Sequence, residues 1–421
     1  MLFQNATLAD GRTRDVRVDG ESIAAVGDLD PTADERVIDA TDARLLPGMI
    51  DVHVHFREPG YSHKETWTSG SRSAAAGGVT TVVDQPNTDP PTVDGAAFDQ
   101  KATLAEPSYV DYGINGGVTE SWDPDSLLSR PLFALGEVFL ADSTGEMGIE
   151  IDLFEDALVA ASDADTRVTV HAEDATLFDE SARERDDADA WSAYRTAEAE
   201  AEAVERACAT AREHDTQIHI AHTSTPEGID TAADTGMTCE VTPHHLFVSR
   251  DDLDELGTHG RMNPPLRSEQ RREAVFERVA DGTVDMIATD HAPHTRAEKD
   301  TDIWSAPSGV PGVETALPLL LAAATRGELS YERVRDLTAT NPADVFGLDR
   351  KGRVAEGNDA DLVLVGEEPR EIRGDDLHTN CEWTPFEGME GVFPSLTLVR
   401  GSVVYEDGEF GEPVGKNVRL A

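Results

Sequence analysis

Four histidines and an aspartate stand at the ends of apolar runs in this chain, and their spacing suggests a metal centre. His53 and His55 flank Val54 in Asp51-Val52-His53-Val54-His55. Side chains at i and i+2 of a strand share a face, so the pair can reach one ion from one side. His171 closes Val168-Thr169-Val170-His171, His222 closes Ile218-His219-Ile220-Ala221-His222, and Asp290 follows Ala288-Thr289. A single histidine in such a place is most simply a core group with its hydrogen bonds satisfied, and a lone His-x-His is often a half-exposed strand face. Five donors, all at the carboxyl ends of such runs, ask for a shared cause. Neutral imidazoles and carboxylates suit zinc and other borderline divalent ions. Two ions about 3.5–4 Å apart would need a bridging anionic side chain besides a hydroxide.

Such donors need a scaffold that gathers them. The runs Leu46–His55, Val79–Gln85, Val110–Gly116, Leu132–Val138, Val168–His171, Ile218–His222, Thr238–Thr242 and Val284–Thr289 are short, apolar and β-rich. Acidic helical stretches lie among them, at Glu65–Ala76, Glu150–Ser162, Ala197–Glu213, Pro226–Asp234 and Ser268–Ala280, with Glu314–Thr325 after the last. Alternation of this kind predicts a parallel sheet. Eight β-α units predict an α/β fold, the closed (β/α)8 TIM-type barrel, whose active sites lie at the carboxyl ends of the strands. Outside it, Leu2–Val26, Glu35–Asp39, Ala360–Val365 and Leu396–Tyr405 alternate apolar and polar residues, with turns at Asp10-Gly11, Asp19-Gly20 and Asp407-Gly408. These read as antiparallel strands. They predict a small β-sandwich domain built from residues 1–47 and 350–421, with the barrel of residues 48–349 inserted between them.

The 421 residues carry 83 acidic against 35 basic side chains, a formal net charge of −48. That balance argues against a nucleic-acid-binding role. Only five of the basic residues are lysines: Lys64, Lys101, Lys299, Lys351 and Lys416. A surface this acidic repels itself where the Debye length is about 30 Å and far less at 1 M salt, where it is about 3 Å. Solubility alone needs a net charge of only about 2–8 on a small domain, so the composition predicts adaptation to a salt-rich cytoplasm. No apolar run approaches the ~20 residues that cross a bilayer, and the first residues carry no readable secretory signal. A cytoplasmic enzyme acting on a small molecule, with no membrane partner, is the expectation. Cys208, Cys239 and Cys381 lie far apart with no Cys-x-x-Cys pair, which predicts reduced thiols.

Longer motifs surround the five donors: Asp-Val-His-Val-His-Phe-Arg-Glu-Pro-Gly at 51–60, Ala-Gly-Gly-Val-Thr-Thr-Val-Val-Asp-Gln-Pro-Asn-Thr at 76–88, His171-Ala172-Glu173, Ala221-His222-Thr223-Ser224-Thr225, Glu240-Val241-Thr242-Pro243-His244-His245-Leu246, Asn263-Pro264-Pro265-Leu266-Arg267 and Thr289-Asp290-His291-Ala292-Pro293-His294-Thr295. With these, Leu46 to Phe346 resembles the cyclic amidohydrolases, most closely their dihydroorotase group. The resemblance implies two zinc ions per subunit, His53 and His55 holding one, His171 and His222 the other, and Asp290 beside the first as proton carrier. It implies reversible cyclisation of N-carbamoyl-L-aspartate to (S)-dihydroorotate with loss of water, a step of pyrimidine biosynthesis. In the hydrolytic direction a metal-bound hydroxide attacks an amide carbonyl, and a carboxylate carries the proton to the departing ring nitrogen. Arg57, by itself most simply a surface ion-pair residue, would grip the substrate carboxylate with its bidentate fork. Asn87, Asn263 and His294 match the remaining substrate contacts, and Gly309 would offer backbone groups to the pyrimidine ring. The resemblance leaves room for a homo-oligomer and for association with aspartate transcarbamoylase.

One position departs from the pattern. Relatives with two metals commonly bridge them with a carboxylated lysine on the fourth strand, and Glu137 stands there in Leu135-Gly136-Glu137-Val138-Phe139-Leu140. Its shorter carboxylate can still bridge two cations. Asp142 is the competing bridge, a single tight ion is a third reading, and Glu137 is preferred. Allantoinases and hydantoinases share the fold and the histidines, but Arg57 with Asn87 favours a substrate that carries a carboxylate. A catalytically inactive scaffold would be expected to have lost ligands, and all five are present. Glu173 and Asp174 are expected to orient His171, His244 and His245 to organise the mouth, and the acidic run Asp179–Asp189 to be a solvated face.

Overall fold

Eight short parallel strands ring the centre of the molecule: β1 (Met49–Val54), β2 (Val79–Asp84), β3 (Asp111–Ile114), β4 (Leu135–Leu140), β5 (Val168–Ala172), β6 (Ile218–Ile220), β7 (Thr238–Val241) and β8 (Met286–Ile287). The computed structural model describes residues 1–141 and 147–420. Parallel ladders join β1 to β3 and β4 to β8, and single bridges, Gly116 to Leu135 and Val54 to His291, link the two groups into one ring. β1, β2 and β4 are buried along their whole length, as strands covered by helices outside and side chains inside must be. This is the (β/α)8 barrel that the alternation predicts.

The helices start where local chemistry permits. Thr66 caps Trp67–Ala76 in a reciprocal box with Ser69, so Glu65, expected inside the helix, lies ahead of it. Thr196 caps Ala197–Glu213, and Pro226–Thr235 opens on proline and ends at Gly236, whose φ is 75°. Several elements differ from expectation: Leu46 and Pro47 belong to a separate strand, Arg44–Pro47, and β8 is only Met286–Ile287. β4 begins at Leu135, not Leu132, because the apolar run is continuous and holds no period that marks its start. The helix Gly95–Leu104, capped by Asp94, was not legible because it carries only a weak apolar stripe.

Strands from both ends of the chain form one nine-stranded sheet, with Leu2–Thr7 and Arg44–Pro47 at its middle and Leu362–Val365 joined to Arg44–Pro47. It is not wholly antiparallel, since Leu2–Thr7 pairs parallel with Val37–Asp39. Phe3, Val16, Ile23, Leu45, Leu362 and Leu396 belong to its own core. Buried Lys351 ties it to the barrel, its Nζ 2.8 Å from Asp111 at the start of β3 and also paired with Asp361. Ile372, Trp383 and Phe386 pack instead with Met262 and Val310, behind the loops that carry Asn263 and Gly309. Among the described residues no helix is long and apolar enough to cross a membrane.

Candidate active site

The carboxyl ends of the strands converge on a small cleft of about 370 Å³, lined by His55, Arg57, Asn87, Glu137, His171, His222, Asn263, Asp290 and Gly309 among others. Asp51 sets the register between β1 and β8. Its Oδ1 accepts from the backbone of His53 (3.2 Å) and Thr289 (3.0 Å), and its Oδ2 from Thr289 Oγ1 (2.6 Å). This brings Asp290 beside the His-x-His pair. Arg57, His222 and Asp290 hold left-handed backbone, with φ of 66°, 33° and 46°, a conformation that costs a non-glycine residue about 1–2 kcal/mol. Strain of this kind concentrates at functional sites.

Two overlapping groups of donors result. His53, His55 and Asp290 have ligand atoms within 4.8 Å of one another, and so do His53, Glu137 and His222. Asp290 Oδ1 lies 2.9 Å from His55 Nε2 and 3.7 Å from His53 Nε2. Glu137 stands between the groups, with Oε2 3.3 Å from His53 Nε2 and Oε1 2.6 Å from His222 Nε2 and 3.0 Å from His171 Nδ1. Burial opposes the ionisation of Glu137, but His53, His222 and His171 outweigh it and hold the carboxyl well below its usual value.

This donor set fits divalent cations. His53 Nε2 is buried and without a hydrogen-bond partner, although it faces the two carboxylates. His171 Nδ1 and His222 Nε2 are only 3.0 Å apart. Among the described residues no lysine or arginine pairs with Glu137 or Asp290. Buried carboxylates surrounded by imidazole nitrogens are what zinc-type ions select.

Arg57, at the cleft, is buried, with Nε 3.2 Å from the Pro293 carbonyl oxygen. Asn87 Oδ1 accepts from His55 Nδ1 at 2.7 Å, on the edge of the ring opposite the nitrogen that lies 2.9 Å from Asp290 Oδ1. His294 Nδ1 faces Lys64 Nζ at 3.0 Å, and its Nε2 lies 2.9 Å from the Ser308 carbonyl oxygen. Arg57 Nη2 lies 3.1 Å from the same Nε2, so a cation faces each ring nitrogen. Burial, with Arg57 and Lys64 adding to it, holds His294 neutral, well below its usual pKa. Gly309 has φ of 128°, and a Cβ there would come within 2.6 Å of the Ala292 carbonyl oxygen. Its N–H already donates to the Arg261 carbonyl (3.1 Å), and its carbonyl already accepts from Lys299 Nζ (2.9 Å). What remains for a ligand is the carbonyl's second lone pair.

Glu173 Oε2 lies 3.1 Å from His171 Nε2 and is also paired with Arg195, whereas Asp174 turns away to Thr176 and Arg206. His245 bridges Thr242 and the Pro264 carbonyl, and His244 Nε2 has no partner. Asp142 lies outside the described residues. Sequence reasoning passed over Glu240, which supports His53, and the buried Lys299, whose Nζ gathers the carbonyls of Arg261, Pro307 and Gly309. The available signals were a carboxylate inside an apolar strand and a lysine in a chain nearly free of them.

The amidohydrolase family model matches residues 44–404. A dihydroorotase from Halobacterium salinarum is 69% identical over 99% of each chain. Another, from Methanosarcina acetivorans, is 44% identical over 99% of this chain and 94% of its own. Among solved structures, the L-hydantoinase (dihydropyrimidinase) of Arthrobacter aurescens superposes with a TM-score of 0.93 at 27% identity over 98% of both chains. The dihydropyrimidinase of Brevibacillus agri superposes at 0.90 with 27% identity, over 99% of this chain and 98% of its own. Backbone likeness thus reaches across cyclic amidases of several names, while sequence likeness rises steeply toward one of them. The chain belongs to the amidohydrolase family, within its dihydroorotase group.

Proposed function

We propose that the protein is a metal-dependent dihydroorotase that interconverts N-carbamoyl-L-aspartate and (S)-dihydroorotate plus water. One observation carries the choice of substrate: Arg57 is a buried guanidinium at the cleft, and among the described residues no carboxylate pairs with it. A buried cation with no carboxylate paired to it is costly, and an anionic ligand relieves that cost. Dihydroorotate brings a carboxylate, whereas hydantoin and allantoin bring none.

The donor set supports two zinc ions, one held by His53, His55 and Asp290, the other by His171 and His222, with Glu137 across both. Bound there, they would polarise the ring carbonyl and lower the pKa of a coordinated water toward neutrality. The chain does the rest. Arg57 grips the substrate carboxylate in a bidentate pair, and the amides of Asn87 and Asn263 hold the ligand's acceptor atoms. Asp290 takes the proton of the attacking water on a carboxylate oxygen and returns it to the ring nitrogen as the ring opens. In cyclisation the same oxygen takes the proton from the attacking ureido nitrogen. Every residue in this scheme lies within 48–349, which supports assigning catalysis to that segment and a supporting role to 1–47 with 350–421. The net charge of −48 supports a salt-rich cytoplasm as its setting.

The test follows ring opening of dihydroorotate, hydantoin and allantoin in multimolar potassium chloride, before and after chelation and zinc restoration. Opening of dihydroorotate alone, lost on chelation and regained with zinc, is the expected result. A zinc-loaded protein that opens none of the three would make it a scaffold.

A further inference from the structure

We propose that Trp191 is a positioning residue of the substrate pocket: its indole N–H holds the side chain of Asn263 so that this amide meets the ligand only as a donor. The proposal rests on the reading of Asn263 as a substrate contact.

Trp191 sits on a short helix, Ala190–Tyr194, just past the acidic run that reads as a solvated face, yet it is only 9% exposed. Its Nε1 lies 3.0 Å from Asn263 Oδ1 and 3.1 Å from the Met262 carbonyl oxygen. An indole N–H can only donate. The Asn263 atom facing it is therefore the oxygen, and the amide's NH₂ is what Asn263 can offer a ligand. Asn87 has the same polarity, since its Oδ1 accepts from His55 Nδ1. Together with Arg57, the cleft then presents donors to a ligand that brings acceptors, as a carboxylate and ring carbonyls do.

The indole is held in place. The Arg261 guanidinium stacks 3.6 Å from the ring centroid, and is itself anchored through Nη1 to the Ile303 carbonyl (2.6 Å) and Nε to Ser308 Oγ (3.3 Å). Trp304 and Tyr194 pack against the ring with centroids 5.8 and 5.7 Å away. A ring clamped by a cation on its face and aromatic side chains around it has one orientation in which to donate. Asn263 Oδ1 accepts from that fixed N–H.

Trp191→Phe keeps an aromatic ring for Arg261 and removes the N–H. Zinc-loaded wild type, Trp191→Phe, Asn263→Ala and the double variant would be compared in multimolar potassium chloride. The expected result for Trp191→Phe is a KM for dihydroorotate raised about 5–10-fold, the equivalent of one lost hydrogen bond, with kcat, zinc content and melting temperature near wild type. The double variant should bind no worse than Asn263→Ala, because the two residues act through one contact. An unchanged KM, additive losses, or a fall in kcat together with melting temperature would overturn the proposal. Should Trp191→Phe fail to fold, Asn263→Asp decides, because it keeps the acceptor for Trp191 and removes the donor. Its KM should rise at least 10-fold, and an unchanged KM overturns the proposal. A wild type that opens hydantoin and not dihydroorotate refutes the proposed function itself, and the variant comparison then stands or falls on hydantoin.

Discussion

Glu240 accepts the Nδ1 hydrogen of His53 at 2.7 Å, on the edge of the ring opposite the nitrogen that faces Glu137 and Asp290. The same carboxylate takes His219 Nε2 at 3.0 Å and the backbone N–H of His222 at 3.2 Å. Burial opposes its ionisation, but His53 and His219 outweigh it and bring its pKa down to about 2. It therefore sets the tautomer and orientation of His53. Glu240→Gln keeps the shape and removes the charge, and should weaken zinc affinity about 10–100-fold. Competition against a chelator of known affinity measures it.

Glu137 spans the two donor groups and has no counterpart among the described residues. Glu137→Ala should lose at least about half of the bound metal and more than about 99% of activity, since removal of the anion that joins two sites weakens both. Metal analysis of the purified variant reads the first, and dihydroorotate opening reads the second. A glutamate needs no carboxylation, so wild-type activity should be the same in buffer freed of carbon dioxide. Full metal content in Glu137→Ala would reject the bridging role.

Arg57→Lys retains the charge and loses the fork. A charge-assisted hydrogen bond is worth about 1.5–3 kcal/mol, so KM for dihydroorotate should rise about 10–100-fold with a smaller change in kcat. Steady-state kinetics at saturating zinc distinguishes this from a loss of metal.

His378 gives stability a pH dependence away from the metal centre. Its Nδ1 meets Glu314 Oε1 at 2.8 Å, and this hydrogen bond raises its pKa above 6.5 in the folded state. A raised histidine stabilises the fold fully below the unfolded value and loses that contribution as pH rises through the folded value. With about a third of the side chain exposed the contribution is at most about 1 kcal/mol. The urea midpoint at constant potassium chloride should fall as pH rises from about 6 to 8 more in wild type than in His378→Gln.

Lys101 is fully buried, with its Nζ 2.6 Å from Asp84 Oδ2. Lys101→Met leaves that carboxylate without its cation and should cost about 3–5 kcal/mol. Chemical denaturation followed by tryptophan fluorescence measures it, and a loss below about 1 kcal/mol would mean that Asp84 finds other compensation.

The alternation of short apolar runs with acidic helices made the barrel legible, because a parallel sheet under helices leaves nearly continuous hydrophobic strands. Strand ends were less legible, as β4 shows, since a run apolar on both faces carries no period. His53 and His55 could be assigned to one side because strand periodicity is local. The parallel pairing of Leu2–Thr7 with Val37–Asp39 could not, because it depends on which strand lies beside which.

The sequence alone determined which residue types stand at the ends of the strands, and so the donor chemistry of the site, because residue identity and local periodicity are properties of the chain. Only the tertiary structure decided that Glu240 reaches His53 across 187 positions, that Trp191 reaches Asn263 across 72, and that Arg57 is buried with, among the described residues, no carboxylate paired to it. Those contacts depend on how the barrel closes and which loops fold over its mouth, and non-local packing leaves no pattern in the order of the residues.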